Sequence, residues 1–247
     1  MPIALAHGNP ETSLVWGPLV RELVAHDTAE PVLLSPPGFG APVPPGFGST
    51  AEEYRAWLVG ELERFGEPVD LVGHDWGAGH LYAVAATRPD LLRSWIADCA
   101  GIIHPDYVWH PAARTWQTPG EGETLVEQMV AMSGEDFVAS DDVPADLAPQ
   151  IAAHFDDEMG RSILAVYRSA AQPYMRRLGE RLAAAPRVPS LIVHATADRY
   201  TMPNLAPAVA ERLGSELLEL PGAGHWWMWD FPAEAAAAFT RFWARLG

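Results

Sequence analysis

Gly73-His74-Asp75-Trp76-Gly77 places an aspartate where a short apolar strand, Val69 to Val72, gives way to an apolar helix. Small residues on either side of one reactive side chain allow the sharp turn that lifts it above a sheet, because the backbone there packs too tightly for a Cβ. The lifted atom here is a carboxylate oxygen. Attack by a carboxylate on an acyl carbon makes a reactive mixed anhydride, whereas attack on a saturated carbon bearing a leaving group makes an ordinary ester that water can later cleave. The pattern points to displacement at sp³ carbon, with an epoxide or alkyl halide as substrate, and away from esterase and protease chemistry.

Such a nucleophile needs a base to activate water against the ester and an acid group to orient that base. Asp198 follows an apolar strand in His194-Ala195-Thr196-Ala197-Asp198, and His225 follows the next in Gly222-Ala223-Gly224-His225. Asp75, Asp198 and His225 thus run nucleophile, acid, histidine along the chain. Asp98, at the end of the strand Trp95 to Cys99, competes for the acid role; the Ala-x-x-Asp setting favours Asp198.

These residues need a scaffold that brings strand ends together. Ile3–Ala6, Val32–Leu34, Val69–Val72, Trp95–Cys99, Leu191–His194 and Glu216–Leu220 read as short buried strands. Thr12–Ala25, Thr50–Phe65, Ala78–Thr87, Pro203–Leu213 and Pro232–Leu246 show helical spacing between and after them. That alternation predicts a parallel sheet covered by helices. From Ile102 to Arg187 the rhythm breaks into helical segments, Glu121–Met132, Pro144–Phe155, Arg161–Ala171 and Pro173–Ala185, separated by Gly, Pro and acidic turns. The expected layout is an α/β core of residues 1–101 and 186–247 with a helical cap, 102–185, inserted after the fourth strand. Such a cap covers the sheet's carboxyl edge, where α/β proteins place their sites.

Composition removes several function classes. The chain has 247 residues, 49% hydrophobic and 19% charged, enough for one domain with a full core and one insertion. Its formal net charge is -16 and all its basic residues are Arg. An acidic surface without a basic run disfavours nucleic acid and anionic membranes as partners. Cys99 is the single cysteine, so no internal disulfide forms. No stretch reads as a signal peptide or membrane span, and the expectation is a cytoplasmic protein. His74, His80, His104, His110, His154 and His194 lack metal-ligand spacing, so no metal site is expected. The loop with Pro-Pro-Gly-Phe-Gly at Pro36–Gly40 and Pro44–Gly48 reads as a stiff rim.

Through His7-Gly8-Asn9-Pro10 after the first strand, Gly73-His74-Asp75-Trp76-Gly77-Ala78 and Gly224-His225, the chain resembles the epoxide hydrolase and haloalkane dehalogenase group of α/β-hydrolases over nearly its whole length. The resemblance implies that the backbone N–H groups of Asn9 and Trp76 stabilise the oxyanion formed when water attacks the ester. In epoxide hydrolases two cap tyrosines support the leaving oxygen; Tyr167 fits one, and Tyr107 or Tyr174 the second. In many dehalogenases an Asn after His-Gly and a Trp after the nucleophile hold the halide, which Asn9 and Trp76 match. Tyr107, Trp109 and Trp226 are the candidate substrate contacts. The reading that follows is an epoxide hydrolase giving a vicinal diol; the alternatives are a haloalkane dehalogenase and a silent ligand-binding relative. A small hydrophobic substrate and water are the implied partners, with no metal, nucleotide or organic cofactor. Three departures from the group's pattern stand out, one of them that the cap tyrosines are not plainly paired. The first strand begins almost at the amino terminus, which predicts a shortened sheet, and Ser35-Pro36-Pro37 stands where many relatives carry an Asp.

Overall fold

The structure, a computed structural model, describes the whole chain except residue 142 and the side chains of residues 140 and 141. Residue 142, inside the expected 102–185 insertion, therefore lies outside the described residues. Among the described residues six strands form one sheet: β1 (Ile3–Ala6), β2 (Val32–Leu34), β3 (Val69–Gly73), β4 (Leu92–Ala97), β5 (Ser190–Ala195) and β6 (Glu216–Leu220). Their order is β2-β1-β3-β4-β5-β6, and all neighbours are parallel. β1 and β3 are buried throughout because helices cover both faces, which is why their sequences run apolar without alternation. The edge strands β2 and β6 leave Val32, Leu33 and Leu217 exposed.

Helices α1 (Gly17–Ala25), α2 (Ala51–Glu63) and α3 (Trp76–Thr87) belong to the first half of the core. Between β4 and β5 the described residues form α4 (Pro111–Gln117), α5 (Glu121–Val130), α6 (Gly134–Asp141), α7 (Ala148–His154), α8 (Asp157–Ser169) and α9 (Tyr174–Ala184). α10 (Ala206–Leu213), α11 (Trp227–Asp230) and α12 (Pro232–Ala244) complete the chain. Within the insertion α5 packs on α8 and α4, while α9 returns to lie on α3 of the core.

Several elements differ from the sequence reading. The segment from Thr12 opens with a 3₁₀ turn, Ser13–Trp16, before α1 begins. α4 and α6 are additional helices of seven and eight residues, too short to show a full apolar period. β4 spans Leu92–Ala97 rather than Trp95–Cys99. Its polar start is made possible by Asp70 on β3, which pairs with Arg93 and accepts from Ser94 Oγ. At the far end Cys99 turns left-handed (φ 52°), which ends the strand and leaves Asp98 at its tip.

Register sets the site. Ala6 pairs with Gly73 and Gly73 with Ala97, so β1, β3 and β4 end level with one another. The residues just beyond those ends, Asn9, Asp75 and Asp98, converge at one point of the carboxyl edge. β5 and β6 deliver Asp198 and His225 to the same edge.

Candidate functional site

Asp75 sits between β3 and α3 with φ 52° and ψ -120°, an unfavourable conformation for a non-glycine residue that raises its side chain above the sheet. A Cβ at Gly77 would overlap the carbonyl of Ala6, and one at Gly8 would overlap the Asp75 carboxylate. These two glycines let β1 and its following loop approach the elbow. The Asn9 backbone N–H donates to Asp75 Oδ1 at 3.0 Å. The Asp75 backbone N–H donates to Asp98 Oδ1, also at 3.0 Å.

His225 Nε2 lies 3.8 Å from Asp75 Oδ2, too far for a hydrogen bond, and its Nδ1 bonds Asp198 Oδ2 at 3.0 Å. Asp198 is fixed in turn by the Tyr200 backbone N–H at 2.8 Å and the Thr201 hydroxyl at 3.1 Å. Burial alone would lower the His225 pKa, but the carboxylates of Asp198 and Asp75 outweigh it and raise it above the ordinary histidine value. Burial raises the Asp75 pKa, opposed by His225, His74 and the Asn9 N–H. Asp198 is buried too, yet His225 holds its pKa below the usual carboxylate value. Asp198, not Asp98, is the acid that meets His225.

Asp98 belongs to a second buried network. His74, fully buried beside the elbow, contacts Asp98 Oδ2 through Nδ1 and Glu11 Oε1 through Nε2, the latter at 3.2 Å. Trp227 Nε1 donates to Asp98 Oδ2 at 2.6 Å, and Trp226 Nε1 donates to Glu11 Oε1 at 2.5 Å. Burial works against the His74 imidazolium, but Asp98 and Glu11 raise its pKa well above the usual value. Asp98 is correspondingly pushed down to about 2 despite its burial. Among the described residues, Glu11, His74 and His225 bring potential ligand atoms within 4.8 Å of one another, as do His74, Asp98 and Cys99, and Cys99, Asp198 and His225. Within these overlapping sets His74 is already hydrogen-bonded to Asp98 and Glu11, and His225 to Asp198.

A cavity of about 200 Å³ opens over Asp75. Asn9, His110, Tyr167, Tyr200, His225 and Trp226 line it, together with the apolar Leu125, Met129, Met132, Phe137 and Val143 from the segment between β4 and β5. A smaller void of about 20 Å³ adjoins Asp75 between Trp76, Tyr107, Trp109, Tyr167 and Thr201. Among the described residues the buried Asn9 side-chain amide has no hydrogen bond at either atom, and the Trp109 indole N–H is likewise unpartnered.

Asp75, Asp198, His225, Tyr167, Asn9, Trp76, Trp109 and Trp226 are therefore brought together. Trp76 packs edge-on to Tyr167, with ring centroids 5.1 Å apart. Neither alternative for the second tyrosine donor, Tyr107 or Tyr174, lines the larger cavity. The Tyr107 hydroxyl donates to the Tyr200 carbonyl at 3.1 Å, so its proton is already engaged, and its ring reaches only the small void. Tyr174 lies half-buried at the start of α9, with Glu52, Arg181 and Arg55 as its charged neighbours, and lines neither space. Phe39 and Phe47 pack on Tyr54, as a rim would. Sequence reasoning missed Glu11, Tyr200 and His110 as residues of the site. Glu11 directly follows His-Gly-Asn-Pro and Tyr200 stands two residues after Asp198, positions whose significance depends on partners far along the chain.

The sequence profile of the alpha/beta hydrolase family matches residues 3–238, and the chain belongs to that family. A haloalkane dehalogenase of Bradyrhizobium diazoefficiens is 30% identical over 148 residues, the match covering 51% of this chain and 46% of that protein. The chain thus spans less than half the length of this curated relative. Among solved structures, a loop variant of a haloalkane dehalogenase from Bradyrhizobium elkanii superposes with a TM-score of 0.73 at 18% identity, over 99% of this chain and 90% of that one. A bromoperoxidase from Bacillus anthracis gives 0.75 at 19% identity, over 98% and 91%. Two differently named enzymes share the fold equally well, so the chemistry has to be argued from the site.

Proposed function

We propose that the chain is a hydrolase acting at saturated carbon through an alkyl ester on Asp75, with halide as the leaving group. The observation that carries the mechanism is the arrangement of Asp75. Its Oδ1 already accepts the Asn9 N–H, while Oδ2 faces His225, which is backed by Asp198. Oδ2 attacks the carbon, the electron pair of the carbon–halogen bond leaves with the halide, and Oδ1 becomes the ester carbonyl oxygen. His225 then takes a proton from water, whose oxygen attacks the ester carbonyl carbon. The Asn9 and Trp76 N–H groups stabilise the oxyanion. Collapse expels the alkoxide, which His225 protonates to release an alcohol.

Halide is favoured by the unpartnered amide of Asn9 beside the nucleophile, by the unpartnered Trp109 N–H, and by the haloalkane dehalogenases among the relatives. Among the described residues no arginine lines the cavity, and the chain has no lysine, so an anionic substrate would be buried unpaired beside Asp75. The substrate class is an uncharged alkyl halide. One observation keeps the epoxide reading as the second: Tyr167 reaches the cavity, although the partner tyrosine that reading calls for is engaged or remote.

A long-chain substrate with a terminal epoxide at one end and a primary bromide at the other separates the two. Release of bromide with the epoxide intact is the expected result. Diol formation with bromide retained would move the assignment to an epoxide hydrolase.

A further inference from the structure

The first turn of a helix leaves backbone N–H groups without partners. At α4 one is met by His110, whose Nδ1 accepts from the Ala113 N–H at 3.3 Å. A backbone amide only donates, so Nδ1 carries the lone pair and the proton of the neutral ring is on Nε2. Burial, the main cause, pushes the His110 pKa down to about 4, which agrees with a neutral ring. Nε2 lies on the far edge of the ring from the cap and has no hydrogen bond among the described residues. His110 lines both spaces that meet Asp75, and its ring stands edge-on to Tyr200 at 5.3 Å and to Tyr167 at 6.2 Å.

We infer that His110 is a hydrogen-bond donor to the leaving atom of the substrate, its tautomer fixed by the helix it caps. This rests on the displacement proposed above. The Nε2–H stabilises charge as the carbon–halogen electron pair departs with the halide, and no proton is transferred. The inference assigns one side chain two linked tasks: without the cap the ring is free to place a lone pair, rather than a proton, towards the cavity.

The variant His110→Ser keeps a capping oxygen and removes the ring donor, because serine is a favoured N-cap residue. His110→Asn keeps both an oxygen for Ala113 and an N–H for the cavity. Hexanamide serves as a neutral probe with a strong acceptor and no leaving group. Calorimetry should find its binding weakened about tenfold in His110→Ser, with the variant still folding cooperatively, and largely restored in His110→Asn. Asp75 alkylation, followed by mass spectrometry, should slow more with 1-chlorohexane than with 1-iodohexane in His110→Ser, since chloride depends more on a donor. Equal hexanamide binding by wild type and His110→Ser, or equal slowing with the two halides, would overturn the inference. Weakened hexanamide binding with no alkylation in any form of the protein would leave His110 as a ligand donor and remove the displacement reading instead.

Discussion

Replacing His225 by glutamine should halt the reaction halfway, with one alkyl group bound per protein molecule. Glutamine fills much of the space of the ring but does not take a proton from water. Displacement needs only Asp75 and a leaving group, so the first step continues. Hydrolysis of the ester loses its general base, a deficit on the order of 10³-fold in rate. A halogenated substrate should therefore give one equivalent of halide and then almost nothing, while the protein gains the mass of the alkyl group. The wild-type protein adds a pH test of the same step. In the resting state the negative charges of Asp198 and Asp75 raise the His225 pKa. Esterification neutralises Asp75, so part of that support vanishes in the intermediate. Single-turnover hydrolysis of the ester should rise with pH as His225 deprotonates, with an apparent pKa below the one measured by NMR for His225 in the free protein. Continued turnover by His225→Gln would remove histidine from the mechanism.

His74→Leu should be the most destabilising single change near the site, at about 3–5 kcal/mol. His74 has no exposed surface and lies between Glu11 and Asp98, both buried, so leucine would leave two carboxylates without their shared cation. The pH window follows from the two shifts. Asp98 has its pKa lowered to about 2, so its contribution is present above the unfolded value of about 3.9 and is lost as pH falls through 2. His74 has its pKa raised, so its contribution is complete below the unfolded value of about 6.5 and is lost as pH rises through the folded value. Urea unfolding should accordingly show the widest gap between wild type and His74→Leu between about pH 4 and 6.5. Adding Glu11→Gln to His74→Leu should recover part of the loss, because one uncompensated charge disappears. A variant as stable as wild type across that window would show that the network does not hold the elbow.

Much of this architecture is legible in the sequence because the central strands are buried on both faces and therefore run continuously apolar. The elbow is legible because the close approach of Ala6 and Gly8 leaves no room for side chains at fixed positions. What sequence could not decide depends on partners distant along the chain. Asp98 and Asp198 both follow strands, and only the tertiary structure assigns the first to His74 and the second to His225. β4 is misjudged at its start because Arg93 and Ser94 read as polar until Asp70 is placed beside them. Tyr107 looks like a cap donor until its hydroxyl is found on the Tyr200 carbonyl. His110, searched for metal spacing alone, gains its meaning from a helix start too short to be seen as a period.

The central claim is that the oxygen of the product comes from Asp75 and not directly from water. It is tested by a single turnover in ¹⁸O-labelled water with protein in excess over a haloalkane, followed by mass analysis of the alcohol and of the peptide containing Asp75. The account predicts an alcohol carrying ¹⁶O and one ¹⁸O atom in the Asp75 carboxylate. An alcohol carrying ¹⁸O with an unlabelled peptide would contradict it, since water would then have attacked the carbon itself.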